Sequence, residues 1–215
     1  MFTHPGKKLL FMGTEFGQGT EWNSATTLDW YVLQYGFHQG MQQLVKDLNW
    51  LYHSSPELHH YEFEWQGFSW VDCHDADQSI LSYLRKKGDD FLVVLVNFTP
   101  VPRHGYRIGV PRPGRYTQAL NSDSHYYGGS GVGNGGVELV AEEWPWMEHP
   151  YSILITVPPL GGLVLKPEPL PEPVAVVTAE EEALPDDATL TSTASASAAA
   201  TPGLAAKEEE LAQPE

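Results

Sequence analysis

The chain is poor in three things. It has one cysteine, Cys73, in 215 residues; 12 Lys and Arg face 28 Asp and Glu; and no apolar run approaches a membrane-spanning length. A lone cysteine excludes an intrachain disulfide and gives no sign of an oxidising compartment. A membrane helix needs about 18–20 apolar residues, so none is expected. Basic residues are too few and too scattered for the patch that nucleic acid or an anionic membrane requires, and neither is an expected partner. The opening Met1–Gly13 places Lys7 and Lys8 after a Pro-Gly turn, unlike a signal peptide. These absences point to a cytoplasmic location.

The acidity is unevenly spread. Residues 1–166 carry 17 acids against 11 bases, a net of −6, whereas residues 167–215 carry 11 acids against the single Lys207, a net of −10, which together give −16. The part able to fold is therefore only mildly acidic.

Composition divides the chain into residues 1–55, 56–167 and 168–215. In the first region Leu9–Met12 reads as a buried strand, and Phe37, Met41, Leu44, Val45, Leu48, Leu51 and Tyr52 form the apolar stripe of a helix. Ser55-Pro56 ends that helix, because the residue before proline is pushed out of the helical region. The loop between them is far longer than an ordinary strand-to-helix connection, and long loops tend to be functional or disordered. The second region reads as short antiparallel strands: YEFEW, FSWVD, SILSYLRK, FLVVLVNFT, GYRIGV, RYTQAL, SILITV and GLVLK. Breaks at Gly, Pro, Asn and Asp suggest a β-sandwich. The fold class is thus mainly β. The third region has no aromatic residue and is rich in Pro, Ala, Thr and acids. It lacks the apolar surface to offset its ordering entropy, so disorder is expected.

Several motifs carry two readings. Gly131–Gly136 fits G-x-G-x-x-G, but a dinucleotide loop needs a preceding parallel strand and a following helix, and neither is expected here. Asp72, His74, Asp75 and Asp77, with Cys73 among them, resemble a metal cluster, yet aspartates between two strands more often cap turn amides. His59-His60 lacks the spacing of a metal helix. Asn97-Phe98-Thr99 is a glycosylation sequon in pattern, set within an apolar strand. Glu15 and Glu21 are a carboxylate pair on a candidate active-face loop; paired carboxylates can perform glycosyl transfer, but loop spacing fixes no distance between them.

The runs HPGKKLLFMGTEFGQGTEWN, LDWYVLQYGFHQGMQQLVKDLNWLYHSSPEL, VNFTPVPRHGYRIGVPRPGRY, LNSDSHYYGGSGVGNGG and PPLGGLVLKP resemble, in order, the bacterial 1,4-α-glucan (glycogen) branching enzymes of the α-amylase superfamily. The resemblance spans about residues 1–167 and implies three parts: residues 1–55 as the last strand, loop and helix of a (β/α)8 barrel, residues 56–167 as the C-terminal β-sandwich, and residues 168–215 as a tail outside the likeness. It implies a retaining double displacement, in which one carboxylate attacks the α-1,4 linkage and a second serves as acid and then base. The 6-hydroxyl of another glucan chain resolves the intermediate as an α-1,6 branch. The family's catalytic acids lie on earlier barrel strands, and neither Glu15 nor Glu21 matches one. Met1 falls where the family has an internal methionine, so the resemblance implies a fragment with no branching activity of its own. Active sites of such barrels form at the C-terminal ends of the strands. The loop would then be a wall of the glucan cleft, with Glu15, Gln18, Glu21, Trp22 and Asn23 as candidates for substrate contact or loop bracing. Partners implied are an α-glucan and the missing barrel; no metal and no cofactor is implied. The alternative is a stand-alone β-sandwich that grips glucan through Trp144, Trp146, Tyr126 or Tyr127.

Overall fold

Eight antiparallel strands and one long helix occupy the described part of the chain, residues 1–169 of a computed structural model. The helix α1 spans Gly36–Ser54, and the strands are β1 (Phe68–Asp72), β2 (Ile80–Lys87), β3 (Asp90–Asn97), β4 (Arg103–Val110), β5 (Gly114–Asn121), β6 (Leu139–Ala141), β7 (Tyr151–Val157) and β8 (Gly162–Pro167). A six-stranded sheet runs β1-β2-β3-β8-β5-β6, and β4 pairs with β7 in a second sheet. All pairings are antiparallel.

The unbroken apolar run of β3 follows from its central place. Successive side chains point to opposite faces, and both faces are covered. Phe91, Val93 and Leu95 join Ile108 and Val110 of β4 and Ile153, Ile155 and Val157 of β7 in the core between the sheets. Leu92 and Val94 face the other way, in a second core with Leu51 of α1, Leu58, Leu120 and Val164, against which Leu44, Leu48 and Tyr52 also pack. The order is therefore helix, large sheet, small sheet. Ser55 closes α1 with its N–H on the Leu51 carbonyl at 3.0 Å, and Pro56 opens a short 3-10 turn. Proline's missing N–H makes that stop sharp.

Two expected strands do not form. Leu9–Met12 belongs to no sheet, and Leu9 is 74% exposed. A strand buried on both faces needs hydrogen-bonded neighbours, and none pairs with this segment among the described residues. Tyr61–Trp65, the YEFEW alternation, is a succession of turns ending in a 3-10 turn at Trp65–Gly67, with Phe63 and Trp65 exposed. Here the alternating aromatics have no sheet to lie on. The short β6 was not foreseen, since three residues show too little alternation to read. The disorder expected for residues 168–215 concerns, from residue 170 onward, residues outside those described.

Candidate functional site

The loop from Gly13 to Asn23 is anchored by one buried ring. Phe16 is fully buried in a 3-10 turn, Thr14–Phe16, and packs on Trp30 with ring centroids 4.9 Å apart. Its carbonyl accepts from His38 Nδ1 of α1 at 2.9 Å. Gly13 has φ near +90°, and a Cβ there would lie 2.8 Å from Gln18, so only glycine fits.

The five candidate residues then fall into two groups. Glu15 turns back onto its own loop and accepts from Gly13 N–H at 3.1 Å. Gln18 accepts from Asp29 N–H at 2.9 Å and donates to the Thr20 carbonyl at 3.3 Å. Asn23 accepts from Ala25 N–H at 2.9 Å. These three brace the loop. Glu21 is exposed and accepts no hydrogen bond among the described residues. Trp22 is 50% exposed and rests edge-on against Phe11 at 5.5 Å, leaving part of the indole free to contact a ligand. Nothing joins Glu15 to Glu21, so the loop holds no assembled acid pair. Glu15 alone of the five lines a groove of about 460 Å³ between the loop and α1, with Leu10, Met12, Gln42, Val45, Lys46 and Asn49.

Between the first eight residues and the sandwich lies a polar framework that sequence reasoning missed. Lys8 Nζ donates to Glu62 Oε1 at 2.9 Å and to the carbonyls of His4 and Gly6, each at 2.7 Å. Glu62 also accepts from Gly6 N–H at 2.8 Å and Tyr52 OH at 3.0 Å. Burial pushes the Glu62 carboxyl up, but bonds from Lys8, Tyr52 and Gly6 outweigh it and hold the group below its ordinary value. The Tyr52 phenol is pushed up, by burial and by donating to that carboxylate. Arg85 of β2 is 0% exposed and donates to three carbonyls, Gly67 at 3.2 Å, Thr3 at 2.8 Å and Leu58 at 2.8 Å. Burial lowers its guanidinium from the ordinary value. The only signal in the sequence was a charged residue at an inward position of an alternating strand.

The remaining motifs resolve into structure. Asp72 accepts from His74 N–H at 2.8 Å and Asp75 from Gln78 N–H at 3.2 Å, the turn role expected of them. Asp123 gathers the glycine loop through the N–H groups of Ser130 and Val132, and Asn134 pins it to Thr156 by two hydrogen bonds. That loop leads to β6, not to a helix, which removes the dinucleotide reading. Asn97 is buried and donates to the carbonyls of Val101 and Pro158, so it is no glycosylation acceptor. Tyr127 donates to Asp47 of α1 at 2.9 Å, and burial together with that bond pushes its phenol up. It is a strut, whereas Tyr126 is exposed.

Residues 70–168 match the family described as the alpha amylase C-terminal all-beta domain. The chain is 60% identical over 166 residues to the 1,4-alpha-glucan branching enzyme GlgB of Nitrosococcus oceani, covering 77% of this chain and 22% of that protein. It is 54% identical over 166 residues to the enzyme of the same name from Cellvibrio japonicus, again covering 77% of this chain and 22% of the relative. The chain thus spans less than a quarter of the length of these relatives. Among solved structures, the debranching enzyme from Nostoc punctiforme is similar with a TM-score of 0.50 and 15% identity, over 77% of this chain and 29% of that one. That likeness concerns the fold alone.

Proposed function

We propose that this chain, which corresponds to the C-terminal portion of the bacterial 1,4-α-glucan branching enzymes, closes and braces the catalytic barrel of such an enzyme. The observation that carries the reading is the 60% identity over 166 residues, 77% of this chain. Its exposed side chains support it. Phe37, Trp50, Leu9 and Phe11 lie open on the N-terminal segment, as the contact side of a strand and helix would when the neighbouring barrel units are absent.

In this reading residues 1–55 are the last unit of the barrel and 56–167 the sandwich beside it. The whole enzyme cleaves an α-1,4 linkage and transfers the segment to a 6-hydroxyl, through two carboxylates that precede this chain. Residues here serve the substrate. Trp22 offers an apolar face to a glucose ring, Glu21 an acceptor for hydroxyls, and Glu15, Gln18 and Asn23 hold the loop that presents them. The sandwich fixes α1 through Leu51 and its neighbours, and so fixes the loop that His38 holds.

The chain alone should make no branches, because one strand-helix unit cannot enclose a site. The test is to incubate the purified chain with amylose and measure α-1,6 linkages released by a debranching enzyme. Expected is no rise over buffer; a clear rise would overturn the reading.

A further inference from the structure

The apolar contacts of α1 with the large sheet begin at Leu44, and the turns before it are held by another part of the sandwich. That part is the glycine-rich connection between β5 and β6, residues 122–138. Its base is tied to β8, where Ser122 N–H donates to the Gly162 carbonyl at 3.0 Å and Gly162 N–H to Ser122 Oγ at 2.8 Å. Its far end is tied to β7 by the paired bonds of Asn134 with Thr156. In between, the Asp123 carboxylate accepts from Ser130 Oγ at 2.6 Å besides two backbone N–H groups, and Gly131 N–H donates to the Asp123 carbonyl at 2.7 Å. The connection is a braced arm, and the residue it brings to α1 is Tyr127.

Tyr127 grips the helix at two points. Its carbonyl lies against Gly40, where a Cβ would come within 2.1 Å of that oxygen, so only glycine admits the approach. Its hydroxyl donates to Asp47 Oδ2 at 2.9 Å, while Gln43 donates to the other carboxylate oxygen, also at 2.9 Å. Gly40 and Asp47 stand about two helical turns apart, roughly 10 Å along the axis. Apolar packing is non-directional and resists sliding along that axis poorly. A hydrogen bond to a carboxylate and a close backbone contact fix both position and rotation. The loop is fastened to the same turn of α1, since His38, two residues before Gly40, holds the Phe16 carbonyl.

We propose that Tyr127 is a positioning residue for the Gly13–Asn23 loop: acting through Gly40, Asp47 and His38, it sets where α1 holds Phe16 and so where Glu21 and Trp22 stand. The proposal rests on the reading of that loop as a wall of the glucan cleft. Tyr127 touches no substrate in this scheme. Burial, and then the Asp47 carboxylate, keep the proton on its phenol well above the ordinary value, so the hydroxyl remains a donor throughout the range in which the chain is folded and working. A strut serving α1 alone would stabilise the helix and leave the loop indifferent. The shared turn from His38 to Gly40 is what joins the two.

Hydrogen exchange of the full 215-residue chain, read by mass spectrometry, tests the linkage. Tyr127→Phe keeps the ring and the backbone contact and removes only the hydroxyl bond. Amides of residues 13–23 should then exchange about three- to tenfold faster, part of what a lost bond to a charged group implies, with those of β3 unchanged. Ile153→Val weakens the closed core without touching the linkage and should leave the loop at its native rate. Asp47→Ala should reproduce Tyr127→Phe, and the two together should add nothing, since they break one bond. The effect on substrate is read in a chimera behind the preceding residues of the Nitrosococcus oceani relative, where Tyr127→Phe should raise the KM for amylose by a similar factor with kcat little changed. Unchanged exchange of residues 13–23 in Tyr127→Phe, equal acceleration in Ile153→Val, or an active Tyr127→Phe chimera with an unaltered KM would each overturn the proposal. A chimera that forms no branches at all contradicts the branching reading instead, and the exchange rates then decide this one.

Discussion

The two faces of the six-stranded sheet are finished to different degrees. Toward β4 and β7 the core closes on itself: Val93, Leu95, Ile108, Val110, Val157, Leu163 and Leu165 are wholly shielded from water. Toward α1 the helix covers the sheet with Leu44, Leu48 and Leu51, yet Phe37, at 79% exposure, and Trp50, at 71%, remain bare on the same helix. A surface helix of a finished domain has one apolar side. A helix apolar on more than one side belongs in the middle of something larger. The core between the two sheets is thus closed, whereas the segment before the sandwich leaves large apolar side chains open, as the proposed contact with a barrel requires.

The strongest way to break this contrast is to cut the stitching between the two regions. Arg85→Ala removes three bonds to the carbonyls of Thr3, Leu58 and Gly67 and leaves them buried without donors. Chemical denaturation should register a loss of about 3–5 kcal/mol, given the cost of several unsatisfied buried groups. A loss below about 1 kcal/mol would mean that the regions are held by packing alone. Large-to-small changes then grade the two cores. Leu95→Ala, in the closed core, should cost about 4 kcal/mol, and Leu51→Ala, in the helix-covered core, about 2–3 kcal/mol, within the range for buried leucines; denaturation midpoints decide the order.

Acid sharpens the comparison further. Glu62 has its folded value lowered below the ordinary 4.5. Its contribution to stability is present in full above the unfolded value and is lost as pH falls through the folded one. Urea midpoints should therefore fall below about pH 4.5 in the native chain and less steeply in Glu62→Gln, which starts lower at pH 7. An identical acid slope in both would remove the Lys8–Glu62 pair from the joint. The smallest effect is expected at the exposed apolar side chains of α1. Phe37→Ser and Trp50→Ser should change stability by under about 0.5 kcal/mol, since exposed positions contribute little, while reducing self-association measured by light scattering.

The same contrast governs what could be read in the sequence. Runs such as FLVVLV and SILITV announced strands, because a sheet covered on both faces leaves apolar residues no other place. The α1 stripe and its stop at Ser55-Pro56 were equally plain, extending only slightly beyond Phe37–Tyr52. Leu9–Met12 reads as a strand but is unpaired, because pairing depends on neighbours that a single segment cannot supply. Tyr61–Trp65 alternates like a strand, but alternation carries no information on whether a partner edge lies within reach. Within the candidate loop, the types of Glu15, Gln18 and Asn23 showed polarity and not direction; only the fold shows them bonded to their own backbone.

The central claim is that this chain is the closing part of a branching enzyme. Its most direct test is a chimera, in which the chain replaces the corresponding C-terminal portion of the Nitrosococcus oceani relative, behind that protein's own preceding residues. Incubated with amylose, the folded chimera should form α-1,6 linkages, counted after debranching, and Trp22→Ala should raise its KM with little change in kcat. A folded chimera that forms no α-1,6 linkages, beside an active parent enzyme, would contradict the claim.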